Sequence, residues 1–571
     1  MALALGAAQA WATRFAMNPD GISYLDIGDA YWRGDWHNAI NAYWSPLYSW
    51  ILGFFLKVLK PSMYWEYPVV HLVNLLIYVA ALASFEFFLA TFIADRKKRD
   101  QEFLKKGLMG LPESAWWLLG YNLFVSSSLL LIGLAFVTPD MCAAAFLYLA
   151  SGLVLRIRSS VVTRRTFAVL GVVLGAAYLA KAVMFPLGIV FLAVAMFAGG
   201  VSRSSLRSVA TAALTFLVVT SPFIMAISYA KGRPTFGDSG RVTYEAFING
   251  IDAWYPGDGG RLRNIGGGTA EDIDGPSLVE AGSLRHPPER IFDAPAAYSF
   301  AQKPIGTYSF WYDPSYWQDG VRGRYDRVAQ AQEVARSSQI YLELIKTVYL
   351  NMLVPFLVLL LISLNPLRSF YVALEPWELI IPAATGLILY SLVHTEIRFI
   401  AGFLSILWFC PFQSLRFYES AKLRRFIGVT LLAVAATTFW YMAKIVIYGA
   451  IASKGSTPES YLAARSLNDY GLRPGERIAT ISPQAFGAGG AYVARLARLQ
   501  IVAQVNQTDH FWSAPASTQT EVLKTFQNSG CNGVLAWRVP EFASGWLKLG
   551  QTGYSVFQFR DSESPKLSSG P

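Results

Sequence analysis

The sequence predicts an α-helical polytopic membrane protein with about eleven transmembrane helices and a small soluble α/β domain at its C-terminus. Of its 571 residues, 54% are hydrophobic and 15% are charged, and the mean hydropathy is +0.35. This composition is too apolar for a protein whose entire surface is wetted. Long apolar segments alternate with short basic loops, and only the final part of the chain changes to short strand and helix patterns.

The basic character of the chain follows from its topology. The net charge is +10, and the Lys and Arg residues cluster in short loops between apolar segments, as expected for the cytoplasmic loops of a membrane protein. We therefore expect membrane lipids, and no nucleic acid, as partners. Cys142, Cys410 and Cys531 are scattered, so they indicate neither a disulfide framework nor a metal site built on cysteine.

The spans are predicted from apolar runs of about 20 residues. They lie at about 67–93, 116–137, 141–155, 209–229, 349–364, 377–393, 397–411 and 426–448, with two more within 167–198. The apolar segment 1–17 is a marginal first helix, because it is short for a span. Segment 46–59 is flanked by Pro46 and Pro61, which predicts a helix lying at the membrane interface.

The basic loops fix the predicted sidedness. Segments 95–106, 156–165, 203–207 and 416–425 carry the Lys and Arg clusters, so we place them in the cytoplasm. Parity then divides the chain into a membrane domain (1–455) with a first outer loop (18–66) and a large outer loop (231–339), followed by an extracytoplasmic domain (456–571).

The C-terminal domain is predicted from alternating element types. Strands are expected at 477–481, 500–505, 533–537 and 554–559, and helices at 460–467, 488–496 and 518–528. Strands that alternate with helices are typical of a layered α/β structure.

The first outer loop has the composition of an interfacial site. Between Asn18 and Trp50 it carries eight aromatic residues and a set of charged side chains, namely Asp20, Asp26, Asp29, Arg33, Asp35 and His37. Asp20 follows the first apolar segment directly, where a carboxylate can take a proton from an acceptor group. Arg33 and His37 are candidates for binding sugar or phosphate. The other acids have a simpler interpretation, as the solvated face of a helix.

The aromatic residues of this loop leave two interpretations open. Tyr24, together with other aromatic side chains, can stack on a sugar. An aromatic belt at the membrane interface explains the same composition. The aromatic residues concerned are Tyr24, Trp32, Trp36, Tyr43, Trp44 and Tyr48.

The loop also resembles a known family. The string Asn18-Pro19-Asp20-Gly21 through Tyr24, followed by Trp44-Ser45-Pro46-Leu47-Tyr48, resembles the first outer loop of the C-type-fold (GT-C) membrane glycosyltransferases. This superfamily includes protein O-mannosyltransferases and lipid A aminoarabinose transferases, which use lipid-phosphate-linked sugars. The resemblance implies a GT-C fold with Asp20 as the catalytic base. The family usually has Glu after this Asp, whereas Gly21 follows here, which indicates the bacterial relatives and a bacterial inner membrane.

Three further outer elements resemble the family's pattern, and each has a structural alternative. Asp140 resembles the acidic residue of the family's second outer loop, which binds acceptor or metal; alternatively it caps a helix. Lys181 resembles a lysine that contacts the donor phosphate, and snorkelling to the surface is its alternative. Glu396 and Arg398 resemble a Glu-x-Arg-Tyr element with Phe399 in place of Tyr, or else form a surface ion pair.

Together these residues predict an inverting glycosyltransferase with a polyprenyl-phosphate-linked sugar donor. Asp20 would deprotonate the acceptor, which is a lipid, a glycan or a protein, and Lys181 and Arg398 would stabilise the leaving phosphate. A divalent metal ion held by Asp20 and Asp140 stays open. A lipid or sugar transporter and a non-catalytic scaffold that retains the fold are the two alternatives from other classes.

Overall fold

Helices dominate the chain. This computed structural model describes residues 1–159, 163–200, 202–250, 261–262, 272–273, 284–321, 323–364, 366, 372–452, 458–482, 490–505 and 507–559. The helices before residue 250 are α1 (Ala2–Ala12), α2 (Pro19–Arg33), α3 (Trp36–Ala39), α4 (Pro46–Leu59), α5 (Glu66–Leu104), α6 (Glu113–Val125), α7 (Asp140–Ser159), α8 (Arg164–Ala180), α9 (Met184–Ala198), α10 (Arg203–Lys231) and α11 (Ser239–Phe247). The later helices are α12 (Ser309–Tyr312), α13 (Pro314–Trp317), α14 (Arg327–Thr347), α15 (Leu350–Ile362), α16 (Trp377–Ser391), α17 (Ile397–Leu407), α18 (Phe409–Gln413), α19 (Ala421–Ala452), α20 (Glu459–Asp469), α21 (Gly490–Ala497), α22 (Thr508–Ser513) and α23 (Ala516–Asn528).

The chain has the helices of a multi-pass membrane protein. Within the described ranges, five helices are long and apolar enough to cross a membrane, and the pair α14 and α15, bent by 73°, is either a sixth, broken span or a re-entrant segment. The five are 66–101, 113–132, 140–159, 203–231 and 421–451. Shorter apolar helices accompany them, α4 among them. The fold class is thus the predicted one, and the count of about eleven spans stays a prediction.

Two predicted boundaries are wrong. The segment 95–106 was expected to be a loop, but α5 continues to Leu104. Arg96 is only 3% exposed in its side chain and pairs with Asp100 at 2.9 Å, an i, i+4 contact that supports a helix. The span expected at 116–137 ends earlier, because α6 passes into a π-helical turn (Ser126–Ile132) that stops at Gly133 with φ of 73°, a backbone conformation suited to glycine.

The C-terminal part of the chain forms one seven-stranded sheet together with segment 289–299. Its strand order is β10-β11-β9-β7-β8-β5-β4, and β7 runs parallel to β8 and β9. The strands of this sheet are β4 (Glu289–Phe292), β5 (Ala297–Ser299), β7 (Arg477–Ile481), β8 (Gln500–Val505), β9 (Gly533–Trp537), β10 (Leu547–Lys548) and β11 (Tyr554–Gln558). Two-stranded pairs join β1 (Leu108–Met109) to β6 (Phe417–Tyr418) and β2 (Arg261–Leu262) to β3 (Asp272–Ile273).

Segment 289–312 is anchored to this sheet next to α2. β5 pairs antiparallel with β8, with Ala297 opposite Val505, and the hydroxyl of Tyr308 donates to Gln504 Oε1 at 2.6 Å. The following segment, 307–312, then packs on α2. The sheet thereby positions the loop against the helix that carries Asp20.

Candidate functional site

The start of α2 is fixed against the loop that leads to Asp140. The side-chain oxygen of Asn18 accepts a hydrogen bond from the backbone N–H of Val137 at 2.7 Å. A Cβ on Gly21 would lie 2.7 Å from Cβ of Val137, so a larger residue would not fit here without a shift of this loop. Gly21 therefore permits the close approach that brings Asp20 to the N-terminus of α7.

Asp20 lies between two side chains from distant parts of the chain. Its Oδ2 is 3.2 Å from Nη2 of Arg398, and its Oδ1 accepts a 3.4 Å hydrogen bond from the indole N–H of Trp311. Burial raises the pKa of Asp20 above its ordinary value; Arg398 opposes this shift and the nearby Glu396 adds to it. A carboxylate with a raised pKa is a better proton acceptor than an exposed Asp.

Asp140, Lys181 and Arg398 meet at the same place. Asp140 is the first residue of α7, its side chain is 2% exposed, and it forms an ion pair with Lys181. Nε of Arg398 lies 3.6 Å from Oδ2 of Asp140. Lys181 sits in the break between α8 and α9 with an extended backbone, and its ammonium lies 3.5 Å from the ring centroid of Phe399. Phe399 thus contacts Lys181 as a cation–π partner.

Glu396 adds a third carboxylate to Arg398. Its Oε2 accepts a 2.6 Å hydrogen bond from Nε of Arg398, and its Oε1 lies 3.6 Å from Nε2 of His394. Burial alone would raise the pKa of Glu396, but its contacts with His394 and Arg398 lower that pKa to about 2. Glu396 is therefore ionised, and it is the most exposed of the three carboxylates around Arg398, at 39%.

The remaining predicted residues lie outside the group of side chains around Arg398. Tyr24 is one turn along α2 from Asp20, buried in edge-to-face packing with Trp44 and Tyr48 at 5.0 and 5.2 Å between ring centroids. Arg33 and His37 are exposed, at the far end of α2 and on the four-residue helix α3. The structure thus brings Asp20, Asp140, Lys181, Glu396 and Arg398 together, keeps Tyr24 close to them, and separates Arg33 and His37 from them.

Sequence reasoning missed Trp311. Its indole contacts Asp20, and its backbone oxygen accepts hydrogen bonds from Ser23 Oγ at 2.9 Å and from the indole of Trp44 at 3.3 Å. The aromatic-rich segment 308–317 of an otherwise polar loop was the signal available in the sequence.

Sequence reasoning also missed an ion network that docks the sheet onto α2. Arg495, 3% exposed, contacts Asp26 at 2.6 Å, Asp29 at 2.8 Å and Glu66 at 2.7 Å, and Arg498 contacts Glu66 at 2.5 Å. Asp26 is buried, and Thr307 donates to it through its backbone N–H and its hydroxyl. The interpretation of Asp26 as part of a solvated face is therefore wrong, because it is buried against the sheet domain, where it binds Arg495, 469 positions later in the chain.

The carboxylates of the site do not fit a divalent metal ion. The guanidinium of Arg398 lies between Asp20 and Asp140, at 3.2 and 3.6 Å from their oxygens, so it holds the space that a bridging cation would need. Among the described residues no three His, Cys, Asp or Glu side chains gather as a metal-ligand group.

Comparisons with known proteins find similarity in structure only. No family model and no curated protein matches the chain. ArnT from Cupriavidus metallidurans matches at 11% identity over 97% of this chain and 96% of that chain, with TM-scores of 0.48 in the apo state and 0.49 bound to undecaprenyl phosphate. The Archaeoglobus fulgidus oligosaccharyltransferase, in complex with Zn and sulfate, matches at 11% identity over 94% of this chain and 68% of that chain, with a TM-score of 0.46. Both are glycosyltransferases of the C-type fold, and at this identity the likeness concerns the fold alone.

Proposed function

We propose that this chain is an inverting glycosyltransferase that transfers a sugar from a polyprenyl-phosphate-linked donor to an acceptor at the outer face of a bacterial inner membrane. The observation that carries the proposal is the meeting of Asp20, Asp140, Lys181 and Arg398 from separate segments of the chain. One carboxylate able to take a proton, next to two cations able to bind a phosphate, is the set of groups that this reaction needs.

In the proposed reaction an acceptor hydroxyl or amine attacks the anomeric carbon of the donor sugar. The new bond forms while the bond from that carbon to the phosphate oxygen breaks, and the proton of the nucleophile goes to Asp20. The polyprenyl phosphate leaves with the electrons of the broken bond, and attack from the opposite side inverts the anomeric configuration. Lys181 and Arg398 stabilise the charge that develops on the departing oxygen.

Phosphate binding requires an exchange of ion-pair partners. Arg398 contacts three carboxylates, of which Glu396 is 39% exposed, Asp20 21% and Asp140 2%. Moving the most exposed carboxylate from Arg398 into water costs the least free energy, because that carboxylate is already partly hydrated. The donor phosphate therefore replaces Glu396 at Arg398, and Asp20 stays in place as the base.

One observation favours a second candidate, a non-catalytic membrane scaffold. Both Lys181 and Arg398 are paired with carboxylates, and the cavity that they line together with Asp140 measures about 20 Å³. That volume holds roughly one water molecule, and Asp20 is outside the lining of the cavity. A closed ion network of this kind also suits a purely structural role.

Donor turnover separates the two candidates. The full chain would be purified, reconstituted into liposomes, and supplied with lipid extract from its host membrane, which contains the sugar lipids and acceptors of that cell. A glycosyltransferase consumes a polyprenyl-phosphate sugar and releases polyprenyl phosphate, both measured by mass spectrometry. A scaffold leaves every sugar lipid of the extract unchanged although the protein remains folded.

A further inference from the structure

His394 lies directly beside the residues around Arg398 but has no part in the proposed reaction. Its side chain is 7% exposed, and its ring stacks on Phe247 of α11 with 3.5 Å between ring centroids and 16° between ring planes. Its Nε2 lies 3.6 Å from Oε1 of Glu396, whose other oxygen accepts from Nε of Arg398 at 2.6 Å. One carboxylate therefore bridges the imidazole and the guanidinium.

The other ring nitrogen of His394 faces two groups of opposite kind on α14. Nδ1 lies 2.9 Å from Nη1 of Arg336 and 3.6 Å from Oε1 of Glu333. A guanidinium can only donate, so the contact with Arg336 suits a neutral ring that accepts at Nδ1. An ionised carboxylate can only accept, so Glu333 suits an imidazolium that donates at Nδ1. The ring therefore has a partner in place for either protonation state.

The protonation state of His394 sets the strength of its contact with Glu396. In the neutral ring that accepts from Arg336, the single N–H is on Nε2, toward Glu396. In the imidazolium the same N–H is charged, and such a hydrogen bond is roughly twice as strong as a neutral one. Burial alone would lower the pKa of His394, but its contacts with Glu333 and Glu396 raise that pKa above its ordinary value. The imidazolium thus persists to higher pH than in a free histidine.

This charge affects the exchange of partners at Arg398. In the proposed function the donor phosphate displaces Glu396 from Arg398, and a carboxylate that leaves one cation is stabilised by a second one. The imidazolium is a second cation, 3.6 Å from an oxygen of Glu396. A neutral ring has no charge to offer, so Glu396 then stays on Arg398 and competes with the phosphate.

We propose that His394 is a positioning residue that receives Glu396 when the donor phosphate binds Arg398, so that protonation of His394 strengthens donor binding. The inference rests on the proposed function for the identity of the anion. Because such coupling is reciprocal, donor binding takes up a proton at His394. Donor affinity is then high below the pKa of His394 and falls as the pH rises through it. The ring of His394 faces Glu333 and Arg336 from α14, Phe247 from α11 and Glu396 from its own loop.

Binding of a lipid phosphodiester tests this coupling. The probe is undecaprenyl methyl phosphate, which has a fixed single charge and no sugar to transfer, and its Kd for the full chain in a neutral detergent is measured by calorimetry. Asp20→Asn is the background for all measurements, because Asp20 also contacts Arg398 and its titration would add to the signal. We expect Kd to rise about tenfold from about pH 5 to about pH 9, since a charged hydrogen bond becomes a neutral one.

Proton uptake gives a second readout. Binding heats in two buffers of different ionisation enthalpy should show a proton taken up near the midpoint of the Kd transition. His394→Asn should bind the probe weakly at every pH and take up no proton there. His510→Asn removes an exposed histidine of the sheet domain and should keep the transition, and thermal unfolding shows that each variant is folded.

Two neighbours of the ring should move the midpoint in opposite directions. Glu333→Gln removes the acceptor of the imidazolium, so the midpoint should shift to lower pH. Arg336→Gln removes the donor to the neutral ring, so the midpoint should shift to higher pH. The two residues form one ion pair, with Nη1 of Arg336 2.8 Å from Oε1 of Glu333. Loss of that pair alone would therefore give both variants the same effect.

The inference is overturned if the probe does not bind, if its Kd is independent of pH, if His394→Asn keeps the transition, or if the two neighbouring variants shift it in the same direction. The proposed function fails in a different way. If the probe binds as expected but the wild type releases no polyprenyl phosphate, the function is wrong and the role of His394 in anion binding stands. If the wild type transfers sugar and His394→Asn keeps the transition, the inference is wrong and the function stands.

Discussion

The guanidinium of Arg398 lies 3.2 Å from the carboxylate of Asp20, although 378 positions separate the two residues in the chain. The same guanidinium contacts Glu396 at 2.6 Å and Asp140 at 3.6 Å. Its position therefore couples the charge state of Asp20 to the carboxylates around it. It also marks the place where an anion can exchange with a carboxylate.

This coupling predicts the pH dependence of transfer. Burial, opposed by Arg398 and reinforced by Glu396, raises the pKa of Asp20 above 3.8. A general base works only when deprotonated, so kcat/KM should rise with pH through that raised pKa. Glu396→Gln removes a negative charge next to Asp20 and should move the acidic limb to lower pH. If the acidic limb of the pH profile stays at the same pH or moves to higher pH in this variant, Glu396 does not raise the pKa of Asp20.

Lys181 and Asp140 should behave as a buried ion pair. Lys181→Met leaves Asp140, which is 2% exposed, with the guanidinium of Arg398 at 3.6 Å as a remaining cation. Breaking a buried pair completely typically costs about 3–5 kcal/mol, so we expect a loss of stability up to that range. Thermal unfolding in detergent measures this loss. The single variant is therefore a poor test of donor binding, because its folding is compromised.

The matched control removes both charges. Lys181→Met combined with Asp140→Asn should recover most of the lost stability, since an uncharged pair leaves no isolated ion. If Lys181 binds the donor phosphate, the double variant still binds the polyprenyl-phosphate sugar more weakly than the wild type. Wild-type donor affinity in the double variant would refute this role of Lys181.

The docking of the sheet domain onto α2 should depend on Arg495 more than on Arg498. Arg495 is 3% exposed and contacts three carboxylates, whereas Arg498 is 45% exposed. Arg495→Met should destabilise the protein by about 3–5 kcal/mol, and Arg498→Met by about 1 kcal/mol. Equal losses in thermal unfolding would show that Arg495 is not the residue that holds the domain.

Much of the fold was predictable because it depends on local patterns. The apolar runs predicted the helical membrane class, and the expected strands 477–481, 500–505 and 533–537 coincide with β7, β8 and β9, since buried strands read as short apolar runs. β4 and β5 were missed because they have four and three residues. Their pairing partner β8 lies far away in the chain, so local sequence carries little signal for them.

The site was predictable only where the family resemblance supplied motifs. Those motifs supplied five residues, and the structure places these residues in contact. They are Asp20, Asp140, Lys181, Glu396 and Arg398. Trp311 and Arg495 were missed, because their roles depend on tertiary packing. Arg495 stands in the otherwise apolar segment Ala491–Leu496, and a buried arginine in such a helix needs a carboxylate partner, which was the one available signal.

Sidedness is a further prediction, and introduced cysteines test it. Cys531 and the other two cysteines are buried, so they are unsuited to labelling. Ser517 is exposed and the side chain of Lys97 is 74% exposed. In spheroplasts, a membrane-impermeant thiol reagent should label Ser517→Cys and spare Lys97→Cys until the cells are lysed. Labelling in the reverse order would overturn the proposed topology.

The central claim is that Asp20 is the catalytic base, and the transfer rate of Asp20→Asn tests it most directly. Asparagine keeps the shape of the side chain but cannot accept the proton, so we expect the transfer rate to fall by a factor of about 10² to 10⁴. The unfolding temperature and the donor affinity should stay as in the wild type. Asp509→Asn, an exposed change in the sheet domain, should transfer at the wild-type rate. Transfer by Asp20→Asn at the wild-type rate would contradict the account.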